Sequence, residues 1–246
     1  MRSSVVPKES ALLEAVLERA ASAVAEHYPD AVGALVFGSQ VAGNADSASD
    51  TDVIVLFQSL EHDFHELRGH RPVLLDAHGT TVAGLRTHLA VQAGMNACFF
   101  AKALCDGHVV HDPLDLWPPL VQEARVIYGN PPAPRDWSGV RANLTSRLND
   151  LGRQWRPIER ALIASEIAKY LFGIWSIRHR GWTARMDVAR NWLDADAPDL
   201  ARELEQAFAE ALEGRTGMLG ALADRELAGI GGRLGTNERI RVRAAA

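Results

Sequence analysis

The chain has 246 residues, 47% of them hydrophobic and 23% charged, with a formal net charge of −5 and a mean hydropathy of −0.08. This length supports one or two domains with a sizeable core, and the composition is that of an ordinary globular protein, not a disordered one. The overall acidity argues against a nucleic-acid polymerase or a tRNA-binding enzyme, either of which needs a broad basic track. No run approaches the roughly 18 apolar residues that span a membrane. Met1–Lys8 lacks the apolar core of a secretory signal, so a cytoplasmic protein is expected.

In chain order, the apolar positions Leu13, Val16, Leu17, Ala20 and Val24 predict a helix from about Ser10 to His27. Val32–Phe37 then reads as a strand that ends abruptly at Gly38-Ser39. Val53–Phe57 is β-branched and aromatic without charge, which predicts a strand buried on both faces. In Val73–His78, alternation puts Leu74, Asp76 and His78 on one face and Val73, Leu75 and Ala77 on the other. His62 and His65 fall in a polar connection between strands and read as a solvated face, whereas His78 is a candidate supporting or substrate contact. Leu85–Leu104 is a mixed segment closed by a turn at Asp106-Gly107, and its cysteines, Cys98 and Cys105, read as buried free thiols. Asp112 is expected to cap a helix from Pro113 to about Tyr128.

Residues 129–137 carry three prolines and read as a linker, dividing the chain into domains over 1–128 and 138–246. Beyond it the strand signal fades. Helical patterns run over Ser138–Trp155, Pro157–Arg180, Arg185–Leu193 and Ala197 to about Glu213, with Gly214 as a stop.

The chemistry is concentrated between residues 37 and 76. Asp50 and Asp52 flank Thr51 at the mouth of an apolar strand, where i and i+2 side chains project together. Two such carboxylates are costly unless a cation pairs with them. Magnesium fits, because it takes one or two carboxylates and completes its shell with substrate phosphates. Asp76 adds a third carboxylate on a second apolar strand. The Gly38 backbone and the Ser39 hydroxyl can hold phosphate oxygens, aided by N–H groups at the start of a following helix. A Gly-Ser pair alone reads as a turn and Asp-Thr-Asp alone as a solvated loop; the order, spacing and flanks carry the signal.

Phe37-Gly38-Ser39, ten residues, Asp50-Thr51-Asp52-Val53 and the later Asp76 are together similar to the signature of the nucleotidyltransferase superfamily that includes DNA polymerase β and the antibiotic nucleotidyltransferases. The departure is Thr51, where that family usually has an aliphatic residue. The resemblance implies an α+β fold, a small mixed sheet with flanking helices followed by a C-terminal all-helical domain. It also implies transfer of a nucleoside monophosphate from ATP or another nucleoside triphosphate to a hydroxyl. Asp50, Asp52 and Asp76 would be the metal-binding and catalytic residues, with Asp76 as general base or as ligand to a second metal.

The segment Gly173-Ile174-Trp175 to Trp192 resembles the helical domain of the aminoglycoside adenylyltransferases that modify streptomycin and spectinomycin. There an Ile-Trp helix ends in Gly, and a short loop leads to a basic residue with Trp seven positions after it. This implies Arg185 as a phosphate ligand and a small, hydroxylated, antibiotic-like acceptor. Those enzymes carry Arg before Ile-Trp, where this chain has Gly173, and a Glu base where it offers Asp76. Lys169 lies in a helical stretch, Ile163–Ile177, that is hydrophobic almost all round, so it must reach an edge or meet phosphate.

Charge shifts across the linker. Residues 1–130 hold 8 basic and 16 acidic side chains, and residues 131–246 hold 18 and 15. A basic helical domain suits a shared triphosphate site, while solvated helix faces account for most individual arginines. Two rival functions are a toxin–antitoxin-type nucleotidyltransferase acting on a protein or tRNA, and a module that binds nucleotide without turnover. Fusion to the helical ribonuclease often paired with such toxins is disfavoured, because His179 is the sole histidine beyond the linker and no Arg precedes it by the spacing that ribonuclease uses.

Overall fold

A computed structural model describes residues 8–43, 45, 49–70, 73–131 and 136–235. The chain separates into two compact units, Met1–Asn130 and Pro131–Ala246. Residues 132–135 of the expected linker lie outside the described residues.

The first unit runs α1 (Lys8–His27), β1 (Ala31–Phe37), β2 (Thr51–Phe57), β3 (Phe64–His70), β4 (Val73–Thr81), α2 (Val82–Gly94), α3 (Phe99–Asp106), β5 (His108–His111) and α4 (Trp117–Gly129). Its five strands form one mixed sheet in the order β3-β4-β2-β1-β5. Only the central β2–β4 pair is parallel; the other three are antiparallel. The fold is α+β, a mixed sheet flanked by helices and followed by a helical region, as the resemblance implied.

Side-chain alternation sorts the sheet into two faces. Ala34, Val36, Val53, Val55, Leu75 and Ala77 pack with Ala20 and Val24 of α1. Leu35, Phe37, Ile54 and Leu56 pack against Leu85 and Leu89 of α2, Phe100 and Leu104 of α3, and Leu120 of α4. β2 is apolar on both sides because it is covered on both sides; full burial of each such side chain is worth about 1.5–3 kcal/mol. Tyr28, just past α1, donates its hydroxyl to Glu66 of β3 at 3.0 Å, and burial together with that carboxylate holds the phenol protonated above its ordinary range.

Three expectations for this unit are corrected. The connection holding His65 is a strand, β3, which is polar because it is an edge strand with one side open. The mixed segment is two helices, followed by a four-residue edge strand, β5, too short for alternation to register. The helix after Asp112 begins at Trp117: the Asp112 carboxylate accepts the N–H groups of Leu116 at 2.7 Å and Trp117 at 3.3 Å, holding the turn that precedes it.

The second unit is helical: α5 (Ser138–Leu151), α6 (Pro157–Arg180), α7 (Met186–Asp196), α8 (Pro198–Leu212) and α9 (Gly217–Ala228). Its core joins Leu144 and Leu148, Ile167, Ile174 and Trp175, Leu193, Leu204, and Leu219 and Leu222, one or more from each helix. Pro157 starts α6, where its missing N–H costs nothing, and Gly181 stops it in the left-handed region at φ 76°, its N–H donating to the Ile177 carbonyl at 2.9 Å. α9 begins Gly-Met-Leu-Gly, a weak local helix signal that packing overrides. No helix among the described residues is long and apolar enough to cross a membrane.

Candidate active site at the β1 turn and the β2–β4 pair

β1 ends at Phe37, and Gly38 turns the chain with φ 82°. A β-carbon on Gly38 would lie 1.9 Å from Oδ2 of Asp52, so glycine is required here both by its backbone and by the carboxylate pressed against it. The chain then makes a single turn, with the Ala42 N–H donating to the Gly38 carbonyl at 3.1 Å. Gln40 Nε2 donates to the Ser49 carbonyl at 3.3 Å, tying this turn to the residues that enter β2. The helix expected directly after Ser39 is absent among the described residues; residues 39–43 form a turn.

Asp50 directly precedes β2 and is half-buried, whereas Asp52 lies within the strand and is 8% exposed. In the sheet register Asp52 stands opposite Phe37 of β1 on one side and Asp76 of β4 on the other. Residues opposite one another in a sheet share a face, so Asp52 and Asp76 project together on the side covered by α2, α3 and α4. Neighbouring strands lie about 4.8 Å apart, so the backbones that carry the two carboxylates are adjacent. Gly38 is a packing partner of Asp52.

Beside Asp76 is a second group of side chains that the sequence pattern alone does not bring together. β3 and β4 pair with His65 opposite His78 and Leu67 opposite Asp76. The His65 Nε2 and Asp76 Oδ1 are hydrogen-bonded, and the imidazoles of His65 and His78 stack at 4.2 Å with 10° between planes. Among the described residues, His65, Asp76 and His78 offer donor atoms within 4.8 Å of one another; Asp50 and Asp52 are not part of that cluster. Phe37, Phe99 and Phe100 surround the His78 ring at centroid distances of 6.4, 5.2 and 5.6 Å. Burial among these rings, followed by the neighbouring His65, pushes the His78 pKa below its ordinary value despite the opposing effect of Asp76, so the ring is neutral near pH 7. At the rim, His88 contacts Asp63 at 2.8 Å and packs on Phe100.

The remaining candidates belong to the helical unit. Lys169 is exposed on α6, on the same stripe as Leu162, which is 63% exposed. Arg185 is exposed at the N-cap of α7. Much of the local excess of basic residues is offset by carboxylates from elsewhere in the same unit. Arg147 pairs with Glu166, Arg180 with Asp196, Arg178 with Glu226, and Arg190 with Asp194 and Glu205.

No family model matches the chain, and no curated protein matches it. Among solved structures, the chain is similar to the crystal structure of a nucleotidyltransferase-like protein from Exiguobacterium sibiricum 255-15. The two share 14% identity over 91% of this chain and 77% of that one, with a TM-score of 0.43.

Proposed function

We propose that this protein is a magnesium-dependent nucleotidyltransferase that moves a nucleoside monophosphate, AMP from ATP, to a hydroxyl of a small molecule and releases pyrophosphate. The observation that supports this most is the in-register pair Asp52–Asp76 on parallel strands, with the Gly38 turn packed on Asp52. The donor set fits magnesium, being carboxylate oxygens on one face beside a turn able to receive phosphates. Asp50, Asp52 and Asp76 would hold it, and when bound it neutralises charge on the triphosphate.

The chain's own residues then have separate tasks. The Ser39 hydroxyl and the backbone at Gly38-Ser39 donate to the β- and γ-phosphate oxygens. Lys169 and Arg185 are the further residues proposed to bind the nucleotide. Asp76 lies at an open rim, its side chain 22% exposed and Leu67 opposite it 62% exposed, so an acceptor hydroxyl has access to it. It takes the hydroxyl proton as the acceptor oxygen bonds to the α-phosphorus and the bond to the departing pyrophosphate breaks. A small, hydroxylated, aminoglycoside-like compound is the proposed acceptor. The sheet-bearing domain would span residues 1–128 and the helical domain 138–246.

The test is purified protein with magnesium and each labelled nucleoside triphosphate, against a panel of aminoglycosides, lincosamides, other hydroxylated metabolites, proteins and tRNA. Pyrophosphate release with one nucleotide mass gained by a small acceptor is the expected result. Labelling of a protein or tRNA alone would replace the small-molecule acceptor with a macromolecular one. Magnesium-dependent binding of ATP with no product from any acceptor would favour a binding module.

A further inference from the structure

We infer that His65, Asp76 and His78 form a binding site for a transition-metal dication of the zinc class, sharing Asp76 with the proposed magnesium position but differing from it in ligand chemistry. It needs only these three side chains and stands whether or not the nucleotidyl-transfer reading holds.

Three observations carry it. The two imidazoles and the carboxylate lie on one face of adjacent strands, His65 opposite His78 and Asp76 two residues before His78, and their donor atoms fall within 4.8 Å of one another. Ligands on a common ion at about 2.0–2.1 Å each must be within about 4.2 Å of one another, so small side-chain movements close the set. Two imidazole nitrogens with one carboxylate oxygen is a donor set that suits zinc and its first-row neighbours, and it leaves a coordination position open. Magnesium takes oxygen ligands and has little use for it.

The second observation is the hydrogen bond between His65 and Asp76. A dication held by both groups would take the place of that hydrogen bond. Because the rings of His65 and His78 are stacked nearly parallel, one must turn for both nitrogens to face a single ion. His65 can do so, since it sits on the edge strand β3 with its side chain 58% exposed.

The third is the surround of His78. Phe37, Phe99 and Phe100 hold its ring on three sides, which fixes one ligand while His65 on the rim adjusts. An apolar shell around a metal ligand restricts water and strengthens binding.

Titration of the metal-free full-length protein with Co2+, followed by its visible d–d absorption and by calorimetry, tests the site. The expected result is one Co2+ per chain, displaced by Zn2+. His65→Ala and His78→Ala should each weaken binding by about tenfold or more, while His62→Ala, at an exposed histidine outside the cluster, leaves it unchanged. Circular dichroism checks each variant; should His78→Ala fail to fold, His65→Ala on the exposed edge decides. Asp52→Asn should keep Co2+ binding while losing nucleotidyl transfer, which separates the two readings. Absence of stoichiometric Co2+ binding, or binding that His65→Ala leaves intact, would overturn the inference.

Discussion

Gly38 and Asp52 occupy the same space up to the limit of contact: the position a Gly38 β-carbon would take is 1.9 Å from an Asp52 carboxylate oxygen. The glycine is thus part of the wall of the site, and the turn it begins is pinned to the carboxylate it accommodates. Gly38→Ala should cost about 1–3 kcal/mol through its positive φ and displace Asp52 as well. Gly43→Ala is the matched control, since Gly43 has φ 74° but a β-carbon there would meet nothing within 4 Å. Urea melts of both variants give the backbone cost, and magnesium-dependent ATP binding should fall in Gly38→Ala alone.

Asp52→Asn and Asp76→Asn remove charge at constant shape. Each should lower transfer by about 100-fold or more while the protein stays folded. Thermal melts in the presence of magnesium and ATP check this independently of an acceptor. The wild type should gain stability from the ligand, and Asp52→Asn should gain little or none.

Much of this site is legible in the sequence, and the reason is burial. β1 and β2 are covered on both faces and β4 on the α1 face, so their apolar residues and bounding glycine announce them, and alternation in β4 puts Asp76 and His78 on one side. His65 cannot be placed this way. Its strand is open to solvent along one edge, and only the β3–β4 register brings residue 65 opposite residue 78. α6 is legible to the residue because Pro157 and Gly181 mark its ends, whereas α9, with Gly217 and Gly220 in its first turns, owes its existence to packing by Leu219, Leu222 and Leu227.

Burial pushes the Cys98 thiol up to about 11, and it raises Cys105 as well. A raised thiol pKa means the unfolded chain loses its proton first as pH rises. The contribution of Cys98 to stability is therefore fully present below about pH 9 and lost progressively between 9 and 11. Denaturant melts across that range should show a decline with pH that is shallower in Cys98→Ala. Consistently, Cys98 should resist thiol reagents at pH 8 in the native protein and react in urea.

Arg185 and Lys169 make a graded prediction. With Arg185 as a phosphate ligand, Arg185→Ala should raise the KM for ATP by about tenfold or more, as expected for loss of a charge-assisted contact of about 1.5–3 kcal/mol. Lys169, exposed on a flexible stem, should contribute less, and its effect should fade as salt is raised. Steady-state kinetics at two ionic strengths distinguishes them. Equal KM values for wild type and Arg185→Ala would remove Arg185 from the site.

The most direct measurement is calorimetric binding of ATP to wild type and Asp52→Asn, with and without magnesium. A nucleotidyl-transfer site built on the Asp52–Asp76 pair predicts binding that requires magnesium in the wild type and is weakened about tenfold or more in Asp52→Asn. Binding of equal strength without magnesium, or unchanged by Asp52→Asn, would contradict it.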